Sequence, residues 1–112
     1  MSAVEILRQA RELIADKSRW TQKTFARRTG GSGVHSKDND AICWCAKGAV
    51  AKTSSSFEEF CNALDILDGV SLDLYGNHVV AINDDDTDVD SSHRRVLRVY
   101  DEAIKRIEAA NA

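Results

Sequence analysis

The run of small residues in Asp40-Ala-Ile-Cys43-Trp44-Cys45-Ala46-Lys47-Gly48-Ala49-Val50 restricts the fold of this chain more than any other feature. Asp38, Asn39 and Asp40 offer N-caps, so the run reads as the second helix of the chain, extending to about Lys52 with Ile42, Ala46, Ala49 and Val50 on one face. Glycine inside a helix costs about 1 kcal/mol relative to alanine. Gly48, kept between Ala46 and Ala49, therefore implies that another backbone comes close. The first and last helices can pack against this thin face, with Trp20 and Trp44 filling the space beside it.

A chain of 112 residues supports one hydrophobic core, so residues 1–112 are expected to form a single domain. Apolar residues at 43% and charged residues at 29% are ordinary for a globular protein. The net charge of −3 argues against a general nucleic-acid binder or an anionic-membrane binder, both of which need a surplus of Lys and Arg. No apolar run approaches the roughly 20 residues of a membrane span. The first residues lack a secretory pattern, so the cytoplasm is the expected compartment and the three cysteines are expected as free thiols. Cys43 and Cys45 lie too close together for a relaxed disulfide.

Ser2-Ala-Val-Glu5 is a capping box that opens a helix over about residues 3–16, with Val4, Ile6, Leu7, Ala10, Leu13 and Ile14 as its buried stripe. Thr29 through Lys37 reads as a flexible loop. Ser56-Phe57-Glu58-Glu59 is a second capping box, and the third helix is expected to carry Phe57, Phe60, Cys61, Leu64 and Leu67 inward and to end near Gly69. Residues 70–82 admit two readings. Val70–Tyr75 and His78–Ile82 could form a short β-hairpin about Gly76-Asn77, or Asn77 could cap a short helix that stops near Asn83. Asp90 or Ser91 opens the final helix, whose stripe is Val96, Leu97, Tyr100, Ala103, Ile104 and Ile107. The expected class is mainly α, a compact bundle of four to five helices, with the hairpin near residues 70–82 left open.

Four constellations could carry chemistry. Cys45 or Cys43 at a helix start, followed by His78 and then Asn83 or Asp84, has the order of a thiol-dependent hydrolase or transferase; the alternative is that both thiols pack as small apolar groups. Cys43 and Cys45 with Cys61, His35, His78 or His93 could ligate zinc, but on a helix residues 43 and 45 point about 200° apart. The run Asp84–Asp90 has calcium-loop spacing in part, yet Val89 and Arg95 stand where the sharp turn and the bidentate ligand belong. A solvated loop placing negative charge before the last helix explains it better. Arg27-Arg28 near Trp20 and Phe25 could hold a phosphate or a single strand, with an ordinary charged surface as the plainer reading. No metal and no cofactor is expected.

Taken together, Trp20-Thr-Gln22, Trp44-Cys45-Ala46-Lys47-Gly48-Ala49, Asn83-Asp84 and the stretch from Val96-Leu97 to Ile104 resemble a family of short, uncharacterised bacterial and phage proteins, a domain of unknown function. Members usually carry a tryptophan before the Asn-Asp pair, where this chain has Ile82, and a shorter, less acidic segment after it. The resemblance implies a mostly helical fold, favours the helical reading of residues 77–83, and implies no activity. On this basis Trp20, Gln22, Trp44, Cys45, Gly48, Asn83 and Asp84 are expected to be structural, with Asn83-Asp84 as a latch on the backbone. The leading functional expectation is a small cytoplasmic protein-interaction or accessory domain of phage or bacterial origin, with a protein partner. The alternative is the enzyme using Cys45, His78, Asn83 and Asp84.

Overall fold

The Ser2 side-chain oxygen accepts the Glu5 backbone N–H at 3.3 Å, and its hydroxyl donates to the Glu5 carboxylate at 2.9 Å. This cap starts α1 (Ala3–Leu13), whose Ile6, Leu7 and Ala10 are buried. The computed structural model describes residues 1–111, and α1 ends a turn earlier in it than its apolar stripe suggests. Asp16 begins a separate 3-10 turn (Lys17–Arg19), accepting the Ser18 N–H at 2.9 Å, while Ile14 stays buried beyond the helix end.

The chain then forms a three-stranded antiparallel sheet that the sequence did not announce. Its strands are β1 (Ala26–Arg28), β2 (Gly33–Val34) and β3 (Ala41–Trp44), in the order β2-β1-β3. Ala26 pairs with both Val34 and Trp44, and the register shifts between Arg27 and Arg28. Trp20 adds a parallel bridge to Trp44.

Residues 41–44 are thus extended rather than helical. Asp38 closes a turn instead of capping a helix: its carboxylate accepts the Asp40 N–H at 2.8 Å and its carbonyl accepts the Ala41 N–H at 3.1 Å. Ile42 is consequently 50% exposed instead of lying on a buried helix face. The helix starts later, as α2 (Ala46–Thr53), with Cys45 as its N-cap. Pairing with β1 overrides the local helical pattern here, because a strand needs a partner that no local window contains.

Ser56 caps α3 (Phe57–Tyr75), accepting the Glu59 N–H at 3.2 Å. The helix runs straight through Gly69 and stops at Gly76, which takes the left-handed conformation at φ 73°. Residues 70–82 therefore contain no hairpin. They finish α3, which the sequence reading ends near Gly69, and form α4 (Val79–Asp84), which matches the helical reading of residues 77–83. The cap of α4 is supplied from afar: Asp68 of α3 accepts the Val79 N–H at 2.9 Å, and neither Asn77 nor His78 caps with its side chain. Asp88 opens α5 (Val89–Asn111), accepting the Ser91 N–H at 3.2 Å.

The described residues form five helices and this small sheet around one continuous core, the mainly α architecture that the periodicity predicts. Leu67, Val79, Val96, Val99 and Tyr100 meet Ile6, Leu7, Ala46, Ala49 and Val50 there. The deeply buried Tyr100 donates its hydroxyl to the Ala46 carbonyl at 2.6 Å, tying α5 to the first turn of α2. Burial holds that phenol well above its ordinary pKa, so it remains a neutral donor.

Gly48 admits a close backbone, as its neighbours imply, but that backbone belongs to Phe25 just before β1 rather than to the first or last helix. A Cβ built on it would sit 1.9 Å from the Phe25 carbonyl oxygen and 2.7 Å from the carbonyl carbon. The obstacle is backbone and cannot rotate aside. Gly48→Ala is expected to destabilise the protein by about 2–4 kcal/mol, read as the shift in a urea or thermal unfolding midpoint. A midpoint equal to the wild type would contradict this contact.

Candidate functional site

Of the residues singled out by the sequence, Trp20 and Asp84 bond to the side chain of Asn83, which is 1% exposed on α4. Its Oδ1 accepts the indole N–H of Trp20 at 2.7 Å and the backbone N–H of Ala46 at 2.9 Å. Its Nδ2 donates to the Thr21 carbonyl at 3.1 Å and to Asp84 Oδ1 at 2.9 Å. A carboxamide has two donors and two acceptor sites, and all four are filled. The bond to Ala46 also satisfies one of the free N–H groups at the start of α2.

Gln22 and Asp84 complete the latch. Gln22 Nε2 donates to the carbonyls of Asn83 (3.0 Å) and Asp85 (2.9 Å), and Asp84 Oδ1 accepts the Lys23 N–H at 2.8 Å. Lys23 has φ 70°, a conformation rarely taken by residues with a side chain. Its bonds explain why the strain is tolerated: the backbone N–H goes to Asp84 and the ammonium to Asp86 at 2.8 Å. Segment 20–24 is thereby strapped across the C-terminal end of α4. Trp44 is held separately, its indole donating to the Ser36 carbonyl at 2.9 Å.

Beneath the strap lies a small cavity of about 140 Å³ lined by Lys23, Phe25, Cys45, Val80, Asn83 and Asp84, among others. Cys45 Sγ accepts the Gly48 N–H at 3.2 Å, so the sulfur itself caps α2. Burial raises the Cys45 pKa and the nearby Asp84 charge adds to the rise, while the Gly48 N–H opposes both. The balance favours the thiol over the thiolate.

Of the proposed catalytic set, the structure brings Cys45, Asn83 and Asp84 to one cavity and places His78 elsewhere. His78 lies at the far end of α4 with its side chain 67% exposed, and its Nδ1 is 3.5 Å from Asp68 Oδ2. At 1.5 Å per residue it stands about 7.5 Å along the helix axis from Asn83. No histidine lines the cavity. The arrangement buries a neutral thiol beside an amide already committed to four hydrogen bonds.

The remaining constellations are absorbed by the fold. Cys43 and Cys45 do not share a helix, and among the described residues no group of three or more His, Cys, Asp and Glu side chains is arranged to hold a metal. The aspartates from 84 to 90 are engaged one by one: Asp85 with Thr87 and Arg95, Asp86 with Lys23, Asp88 with the start of α5, and Asp90 with Lys17. Arg27 is spent on the loop, donating to Thr21 Oγ1, the Gly31 carbonyl and the Gln22 carbonyl.

One feature on the opposite side of the strap escaped the sequence reading. Phe57, expected in the core, is 78% exposed, and Phe25 is 41% exposed. With Phe60 they line a groove of about 450 Å³, which Ser36, Lys37 and Ser54–Ser56 also border. A signal for it was present. Phe57 is the first helical residue after the Ser56 cap, and a side chain there leans past the helix end, away from the core.

Two outcomes test this description. Asn83→Asp keeps the shape but removes the donor to Thr21 and sets a carboxylate beside Asp84, so a loss of about 2–4 kcal/mol is expected in chemical denaturation. With iodoacetamide near pH 7.5, site-resolved mass spectrometry of the native protein should show Cys43 and Cys61, both partly exposed, alkylated well before the buried Cys45. Preferential reaction of Cys45 would mean that its thiolate is activated.

Comparison with known proteins adds one assignment. No curated protein and no solved structure matches the chain. The model of a family of unknown function, DUF6197, matches residues 1–106, a span that holds every residue of the latch and of the groove. The chain belongs to DUF6197, a family of unknown function.

Proposed function

We propose that this chain is a small protein-interaction or accessory domain that docks a protein partner in the groove lined by Phe25, Phe57 and Phe60. The observation that carries the reading is the exposure of Phe25 and Phe57 on one concave surface, beside the half-buried Phe60. Burying a phenylalanine side chain contributes roughly 1.5–3 kcal/mol, so leaving such rings in water forgoes stability that a partner could recover. Phe57 and Phe60 stand 6.2 Å apart between ring centroids, so a partner would meet a preformed aromatic pair.

Two further observations support an interaction role over an enzymatic one. The buried Cys45 lacks an imidazole partner, and the Asn83 amide is fully engaged within the fold. The three free thiols fit a cytoplasmic setting. No helix among the described residues is long and apolar enough to cross a membrane.

Phe57→Ala removes a ring that the core does not use, so its unfolding midpoint should move by no more than about 0.5 kcal/mol. A photo-crosslinking residue at position 57 should trap one discrete protein in the native host, whereas the same residue at the exposed position 72 should not. The trapped protein, purified, should bind the wild type at least about tenfold more tightly than Phe57→Ala. Equal binding to both would remove the groove as the docking surface.

A further inference from the structure

We infer that the groove takes an extended acidic peptide, one in which carboxylate side chains alternate with apolar ones. This rests on the docking role proposed above and names the class of partner. The whole chain carries a net charge of −3, yet the charge beside the aromatic rings is of the opposite sign. Lys47 places its ammonium 5.3 Å from the centre of the Phe25 ring, and Lys37 borders the groove directly. Neither lysine has a carboxylate partner among the described residues. Lys37 donates instead to the carbonyls of Lys52 (3.2 Å) and Ser54 (2.6 Å), which leaves one N–H of its three.

The acidic groups nearby do not cancel this charge equally. Glu59 accepts the Ser55 N–H and pairs with the Met1 ammonium at 3.1 Å, so its charge is already answered. Glu58 is exposed next to Phe57 in the chain and would repel a peptide carboxylate placed beside it. A bound chain would therefore set its acidic side chains toward Lys37 and Lys47 and its apolar ones between the rings of Phe25, Phe57 and Phe60.

The test uses fluorescein-labelled ten-residue peptides alternating Asp with Leu and Phe, beside versions carrying Asn or Lys in place of Asp, with anisotropy as the readout. The acidic peptide should bind at least about tenfold more tightly than the lysine version, and the difference should shrink as salt shortens the screening length. Lys47→Glu should reverse the preference.

Equal binding of the acidic and lysine peptides, or an unaltered preference in Lys47→Glu, overturns this inference while leaving the docking role intact. Undiminished binding of the acidic peptide to Phe57→Ala overturns the groove itself, and both proposals with it. A concentration-dependent dimer in sedimentation, abolished by Phe57→Asp, would make a second copy of the chain the occupant and overturn the peptide.

Discussion

A single buried carboxamide fixes how the parts of this protein meet. Asn83 bonds to Trp20, Thr21, Ala46 and Asp84, residues that lie on a loop, at the start of α2 and at the end of α4. Each bond is worth only about 1 kcal/mol net, but an unpaired buried partner costs about 1–3 kcal/mol. The four therefore stand or fall together. They determine where α2 begins relative to α4, and with it where the Cys45 sulfur comes to rest.

The strap over α4 also connects the core to the surface. The Phe25 carbonyl accepts the Cys45 N–H at 3.1 Å and lies so close to Gly48 that no Cβ fits between them. With its backbone pressed onto α2, Phe25 leaves its ring on the outside, where it joins Phe57 and Phe60. The glycine that permits tight packing thus also sets one wall of the groove. The structural motif and the aromatic groove are two sides of one short segment.

Much of the helical frame was legible in local sequence. The stripes of α1 and α5, the caps at Ser2 and Ser56, and the close approach at Gly48 follow from spacing and from the chemistry of single residues. Other features depend on partners distant in the chain. β3 forms because Ala26–Arg28 lies beside it, α4 is capped by Asp68 of α3, and α3 passes Gly69 because Val70 and Ser71 are buried against other helices. The residues of the candidate site were legible as a set, through Trp20, Gln22, Cys45, Asn83 and Asp84. Apart from the bond between the neighbours Asn83 and Asp84, their bonds were not, since these join positions 37 to 63 apart.

By itself the sequence determined which segments are amphipathic, where α1 and α3 start, and that one helix must accept a close neighbour; these depend on interactions within a few residues. Only the tertiary structure decided that residues 41–44 become a strand, that Cys45 caps a helix as a buried thiol apart from His78, and that Phe57 faces solvent. Those outcomes are set by which surfaces meet. A hydrogen bond or a buried ring has its energy only once both partners are in place, and local periodicity carries no record of the second one.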